Sequence, residues 1–241
     1  GTTPPPGNGQ SAQTTTSYYD NRDRIWKTVA PDGTSLTNEF FAIGARKKTY
    51  GSREYPVEYT IDAQGRPTTM KTWTNFASGS GAATTTWNYN TNRGWLLNKR
   101  DPNSQGVDYT YTAAGRLKTR TWARTGTGGS RILTTYTYGI DDGVSNNDHG
   151  DLVSIVHSYD PAGTPDVTYG YDRRGRQTSC VANSLTTTRY FHDAGYMLGE
   201  SYSSGSLGGL ALTNLYDGYF RGTEVTTKNG GTTLSSTGYG Y

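Results

Sequence analysis

The sequence predicts an all-β fold, a repeat architecture of stacked antiparallel β-hairpins that forms a curved or spiralling ribbon. Three observations lead to this fold class. A short phrase recurs along the chain: an aromatic residue, usually Asp, two variable residues, then Gly-Arg. A second turn signal, containing Pro and usually Gly, falls between copies of that phrase. Aromatic and β-branched residues alternate before each copy, and no amphipathic stretch of helical length is present.

The recurring phrase is clearest at 171–176, which reads Tyr-Asp-Arg-Arg-Gly-Arg. Successive copies start 20 to 33 residues apart, and such a period is typical of repeat proteins whose fold is decided by contacts between neighbouring units. Degenerate copies start at Tyr19, Phe41, Ile61, Tyr111, Phe191 and Tyr216, looser ones at Tyr89 and Tyr138, and Tyr239-Gly-Tyr241 resembles the opening of another.

Each phrase predicts a strand that runs into a tight turn. Residues two apart in a strand share a face, so Tyr169 and Tyr171 place two rings side by side. Asp suits the first turn position, Gly suits a left-handed position, and Asp and Arg four apart predict an ion pair across the turn. The residues that define the repeat are Tyr19, Asp20, Arg24, Asp62, Gly65, Arg66, Tyr109, Tyr111, Gly115, Arg116, Tyr169, Tyr171, Asp172, Gly175, Arg176, Tyr216, Asp217 and Arg221.

The two turn signals together leave two short strands per repeat, so most of residues 17–241 is predicted to be antiparallel strand. Pro fixes the backbone at the second position of the intervening turns, which read Ala30-Pro-Asp-Gly-Thr34, Asp101-Pro-Asn-Ser-Gln-Gly106 and Asp160-Pro-Ala-Gly-Thr164. Turns are predicted at Asp20–Asp23, Pro31–Gly33, Asp62–Gly65, Thr112–Gly115, Pro161–Gly163 and Asp172–Gly175.

Composition excludes a large aliphatic core. Hydrophobic residues are 32% of the chain and 20 of them are Tyr, with a mean hydropathy of −0.77. Disorder is the alternative, but 12% aromatic residues in alternation favour strands whose stacked rings supply the buried area. The net charge of +3 comes from interspersed charges, so we expect no nucleic-acid partner. No apolar stretch is long enough for membrane insertion.

The chain divides into two regions. Residues 1–16 are rich in Pro, Gly and Thr and predict a flexible tail, and residues 17–241 predict the hairpin array, incomplete at its C-terminus. A start at Gly1 and an end inside a repeat are what a piece of a larger or processed chain would show.

The phrase at 169–176, its relatives at 109–117 and 59–67, and the turn at 160–164 resemble the YD-repeat, or RHS-repeat, family. The family includes the cocoon of bacterial toxin complexes, RHS effectors, bacterial wall-associated proteins and the barrel of teneurins. The resemblance implies a β-hairpin ribbon that spirals into a shell. Complete shells contain far more repeats, and the self-cleaving C-terminal motif of toxin-bearing members is missing, so no autoproteolytic role can be placed on this chain.

The sequence contains no catalytic constellation. His149, His157 and His192 lack metal-ligand spacing, Cys180 has no nearby histidine in sequence, and no phosphate-binding or nucleophile motif is present. We therefore expect no enzyme activity. Four carboxylates, Asp141, Asp142, Asp148 and Asp151, cluster in one insertion, where oxygen ligands could bind Ca²⁺. The alternative is that this insertion is an elongated hairpin turn. No other cofactor is expected.

The sequence favours a non-enzymatic structural segment of a secreted or cell-surface RHS/YD-repeat protein, part of a β shell or an extended extracellular element. Two alternatives stay open. Unpaired strand edges at the ends of a ribbon could make the chain a self-assembling subunit of a tube or fibre. Exposed Tyr and Trp rings could instead form a carbohydrate-binding surface module. The expected partners are other copies, the remainder of a larger chain, or a glycan.

Overall fold

Antiparallel β-strands form most of residues 2–3, 12–139 and 150–241, which are the residues described by the computed structural model. Helix in these residues is limited to two single 3₁₀ turns, η1 (Thr127–Gly129) and η2 (Gly205–Leu207). No helix in this part of the chain has the length and apolar character to span a membrane. The prediction of an all-β antiparallel fold is confirmed.

The first of two compact units spans Gly1–Val107. From β3 to β10, each strand pairs antiparallel with the next one along the chain. In the predicted tail, β1 and β2 form a separate two-residue ladder. The strands are β1 (Thr2–Thr3), β2 (Gln13–Thr14), β3 (Thr16–Tyr19), β4 (Ile25–Val29), β5 (Ser35–Phe40), β6 (Arg46–Gly51), β7 (Val57–Ile61), β8 (Pro67–Asn75), β9 (Ser80–Tyr89) and β10 (Leu96–Arg100).

The second unit spans Asp108–Tyr241 and repeats the pattern. Each of its strands again pairs antiparallel with its successor. The strands are β11 (Gly106–Tyr111), β12 (Leu117–Thr125), β13 (Arg131–Tyr138), β14 (Leu152–Ser158), β15 (Val167–Tyr171), β16 (Gln177–Ala182), β17 (Leu185–Phe191), β18 (Met197–Tyr202), β19 (Leu210–Tyr216), β20 (Gly222–Asn229) and β21 (Thr232–Gly238).

All six predicted turns are present. In the turn at 172–176, the Gly175 amide donates to the Asp172 carbonyl and the Asp172 amide donates to the Arg176 carbonyl. Gly175 has a φ of 74°, and the strand register shifts by one residue between Gly170 and Tyr171, in the strand that leads into the turn. This is a tight turn closed by a left-handed bulge residue, which explains why Gly recurs there.

One copy of the phrase lies one residue away from its predicted register. The sequence suggests that it starts at Phe41, but the Phe41 amide bonds to the Ala45 carbonyl, which is the bond that Asp makes in other copies. Phe40 is therefore the aromatic residue of this repeat, and Phe41 takes the Asp position. Two adjacent Phe residues made both registers compatible with the sequence pattern.

A single aliphatic core is absent from the described residues, where the buried hydrophobic residues are Trp73 and Ile132. Trp73 contacts Phe76 with ring centroids 5.1 Å apart, and Tyr50 lies 5.3 Å from Phe76. The Lys48 ammonium lies 5.0 Å from the Phe76 centroid and covers this group of rings. Small aromatic clusters, each local to a few strands, therefore replace a central core.

We expect Gly175→Ala to lower the free energy of unfolding by about 1 kcal/mol, because Cβ strains a left-handed backbone. A Cβ there would meet only ordinary contacts, so the cost reports backbone strain. Gly218→Ala is the matched control, since Gly218 has open space around it and no positive φ. Urea unfolding of both variants measures the difference, and equal stability of the two would contradict the turn geometry.

Candidate functional site, a ladder between successive turns

The Asp of each well-formed turn is surrounded by donors from its own turn. Asp62 Oδ1 accepts from the Gln64 and Arg66 amides, each at 2.9 Å. Asp62 Oδ2 accepts from Arg66 Nε at 2.6 Å and from Arg66 Nη2 at 2.6 Å. The carboxylate thus fixes the backbone and the guanidinium at once. The same pairing occurs at Asp20 with Arg24, Asp172 with Arg176, and Asp217 with Arg221.

These hydrogen bonds favour the ionised form of the Asp carboxyl groups. The side-chain hydrogen bond from Arg24 lowers the pKa of Asp20 from 3.8 to about 2, against the opposing effect of partial burial. At Asp217, the amide and guanidinium of Arg221 together lower the pKa of the carboxyl. The turns therefore depend on ionised Asp, because the charged form is the one that the donors stabilise.

The same guanidinium also reaches the next repeat. Arg66 Cζ lies 4.4 Å from the ring centroid of Tyr89, and Arg66 Nη1 donates to the Gly94 carbonyl at 2.8 Å. Arg176 repeats this arrangement with the Phe191 ring at 4.7 Å and the His192 carbonyl at 2.9 Å. One side chain thereby joins the Asp of its own turn to the ring and backbone of its neighbour.

A second bond runs back from the neighbouring ring. The Tyr89 hydroxyl donates to the Pro67 carbonyl at 3.0 Å, and Pro67 directly follows Arg66. The Tyr216 hydroxyl donates to the Met197 carbonyl in the same way, at 2.9 Å. We call this repeating set of contacts the turn ladder: the Asp–Arg pair, the next ring over Arg, and the bond from a Tyr hydroxyl. Further hydroxyl bonds join Tyr138 to Leu117, Tyr171 to Leu152 and Tyr241 to Gly222.

The turn at 192–196 keeps the ladder with different chemistry. His192 takes the Asp position, and its Nδ1 accepts from the Ala194 amide at 3.0 Å. Tyr196 takes the Arg position, stacks on the His192 ring at 4.5 Å and contacts Tyr216, the next ring, at 4.3 Å. An aromatic stack therefore substitutes for the ion pair and still covers the ring that follows.

The turn at 112–116 departs in another way. Thr112 Oγ1 accepts from the Arg116 amide at 3.2 Å, and Arg116 Cζ lies 5.3 Å from the Tyr138 ring centroid. A Cβ on Gly150 would lie 2.5 Å from Arg116 Nη2, so the guanidinium packs against a bare backbone. Asp151 fills the next Arg position, and its carbonyl accepts from the Gly139 amide.

The predicted calcium site lies mostly outside the described residues, which exclude Asp141, Asp142 and Asp148. Asp151 is described, and its backbone carbonyl accepts from the Gly139 amide. His149 is likewise outside them. In the described residues, no three His, Cys, Asp or Glu side chains come together as a metal site would require. The calcium assignment stays a prediction.

The four Asp–Arg pairs expected from spacing are present and form part of the turn ladder. Of the other repeat-defining residues, Tyr109 instead stands opposite Arg120, and Tyr169 stands opposite Cys180. Sequence reasoning missed the link between repeats, in which Arg contacts the next ring. The available signal was that each such Arg is followed by the aromatic residue that opens the next phrase. His157 and Cys180 lie elsewhere, on β14 and β16.

Comparisons with known proteins place the chain in no family. No family model matches it, and no curated protein matches it. Among solved structures, the TcdB2-TccC3-Cdc42 crystal structure has 14% identity and a TM-score of 0.40, and TcdB2-TccC3-TEV has 12% and 0.39. Each covers 93% of this chain, which spans only 16% and 15% of those chains.

Two other solved structures are similarly distant. The Photorhabdus luminescens Tc holotoxin pore has 13% identity and a TM-score of 0.34, covering 93% of this chain and 15% of its own. A porin-like protein from Bacteroides uniformis has 14% identity and a TM-score of 0.32, covering 81% of this chain and 91% of its own. At such distances these structures say nothing about what this chain does.

Acid should weaken the turn ladder. A lowered carboxyl pKa stabilises the fold above the unfolded value, 3.8 for Asp, and this stabilisation is lost as pH falls through the folded value, about 2 for Asp20. We expect the urea midpoint to fall steadily as pH drops from about 4 to about 2. A variant with Asp20, Asp62, Asp172 and Asp217 all changed to Asn should have a lower urea midpoint at about pH 4. Its midpoint should also depend less on pH between about 4 and about 2. Parallel profiles would contradict the assignment.

Proposed function

We propose that this chain is a non-enzymatic structural segment, a β-hairpin array that forms part of a wall or an extended element of a secreted or cell-surface protein of the YD-repeat kind. The observation that carries the proposal is the turn ladder. Its Asp, Arg and Tyr groups, which could otherwise serve chemistry, are used to attach each repeat to the next.

The geometry of the ladder supports a mechanical role. In Arg66 the Nε and Nη2 atoms bind Asp62 and the Nη1 atom binds the Gly94 carbonyl, so the guanidinium joins two turns. A general acid, base or electrostatic catalyst needs a group that is open toward a substrate. A group saturated by structural partners transmits force and limits motion between neighbours instead.

The remaining reactive groups also support this proposal. Cys180 stands opposite Tyr169 and Thr187 on the neighbouring strands. A nucleophilic thiol requires a base within hydrogen-bond reach, and neither facing residue is a base. His157 Nδ1 lies 3.3 Å from Thr134 Oγ1, which is a hydroxyl buried within the sheet face.

Hydrogen exchange tests the mechanical role directly. In an array held together by neighbours, a defect is felt by the next unit and fades beyond it. We expect Arg176→Gln to reduce amide protection in its own turn and in the turn at 192–196, and to leave the turn at 217–221 unchanged. Arg173→Gln, which removes the same charge from the same turn, is the control, since Arg173 is exposed.

An activity screen completes the test. We expect no hydrolase or transferase turnover from the purified chain. Turnover that is abolished by His157→Asn or Cys180→Ser, with the fold intact, would overturn the structural assignment.

In the hydrogen-exchange experiment, loss of amide protection throughout the unit in Arg176→Gln would contradict coupling between neighbouring repeats alone.

A further inference from the structure

A row of hydrogen-bond donors crosses four strands of the second unit. Tyr109 on β11 stands opposite Arg120 on β12, Arg120 stands opposite Thr134 on β13, and Thr134 stands opposite His157 on β14. Directly paired residues in antiparallel strands point to the same face, with Cβ atoms about 5 Å apart. A phenol, a guanidinium, a hydroxyl and an imidazole are therefore aligned side by side on one face of the sheet.

Trp122 holds this row in place. Its Nε1 donates to Thr134 Oγ1 at 3.1 Å, and the Arg120 guanidinium lies 3.6 Å from its ring centroid. Thr134 is 2% exposed, as is Ile132 two residues before it. The indole thus lies over the most deeply buried part of this unit and fixes the Arg120 side chain by stacking.

Arg120 differs from three other arginines of this unit, which bind Asp side chains. Arg176 and Arg221 bind Asp, and Arg131 binds Asp108 at 2.5 Å. Arg120 Nε is buried and has no hydrogen-bond partner. A buried donor left unpaired carries a desolvation cost, and a stacked guanidinium keeps its terminal nitrogens as a planar pair of donors.

Nearby acidic groups are already bound. Arg131 holds Asp108, and Asp166 Oδ1 accepts from the His157 backbone amide at 2.7 Å. Arg124, whose Cζ lies 5.7 Å from the Trp122 centroid, adds a second positive charge. The pKa of Asp160 is lowered mainly by hydrogen bonds from Thr164 and Ala162, and the charge of Arg124 adds to this effect. Two cations therefore share one indole, and the row itself contains no carboxylate.

We propose that Tyr109 and Arg120, neighbours on paired strands and ordered by Trp122 and Thr134, bind an oxyanion, either a carboxylate or a phosphate group. Both groups present oxygen atoms in the spacing that a guanidinium fork recognises. The Tyr109 hydroxyl, on the strand paired with that of Arg120, extends the donor set beyond a single arginine. The proposal rests on this geometry and is independent of the mechanical role of the turn ladder.

Calorimetric titration of the full chain with sodium phosphate and with sodium acetate, at constant ionic strength, tests the proposal. We expect saturable binding that Arg120→Gln weakens by about tenfold, because a charge-assisted bidentate contact is lost. Arg173→Gln is the charge-matched control and should stay within about twofold of the natural sequence. Tighter binding of phosphate identifies a phosphoryl ligand, and equal or tighter binding of acetate identifies a carboxylate.

Tyr109→Phe keeps the test decisive if Arg120→Gln fails to fold. It retains the ring and removes only the phenol donor, so we expect weaker binding with an unchanged melting temperature. Saturable binding of neither anion would overturn the proposal. So would equal losses in Arg120→Gln and Arg173→Gln, or unchanged affinity in a folded Tyr109→Phe.

Discussion

The repeats whose turns hold an Asp–Arg pair depend on one guanidinium that is held by two neighbours at once. Arg66 binds Asp62 in its own turn, stacks on Tyr89 of the next repeat and donates to the Gly94 carbonyl. An exposed ion pair alone contributes little, about 0–1 kcal/mol. Stacking and a backbone hydrogen bond made by the same side chain add to the stabilisation from the ion pair. They cost little further conformational entropy, because the Asp has already fixed the guanidinium. Since the described part of the chain has almost no buried aliphatic core, such local attachments must carry the association of its hairpins.

The arrangement also explains which residue types can replace one another. His192 still accepts an amide hydrogen bond in place of Asp, and Tyr196 still covers the following ring in place of Arg. What persists is a turn acceptor joined to a flat group that stacks on the next aromatic residue. A chain built from such contacts tolerates wide variation in spacing, because each contact spans two neighbouring turns and no more. This is the physical basis of a repeat array that is low in aliphatic residues.

The sequence predicted the parts of the fold whose chemistry lies within a few residues. Asp172, Gly175 and Arg176 specify a turn together, and each contributes for a local reason. The contact between Arg176 and Phe191 could not be derived in this way, since it depends on how one hairpin docks against the next. Phe40 and Phe41 show the limit of pattern reasoning, because either ring satisfies the aromatic position. The row from Tyr109 to His157 was equally invisible, as it exists only through the register of four strands.

A double-mutant cycle between Arg66 and Tyr89 tests the central claim most directly. Arg66→Gln, Tyr89→Leu and the double variant would be compared with the natural sequence by urea unfolding. If the guanidinium joins neighbouring repeats, the two changes should couple by roughly 0.5–2 kcal/mol. A control cycle between Arg66 and Tyr50, whose described contacts are with different residues, should show coupling near zero. Additive effects of Arg66 and Tyr89 would contradict the account.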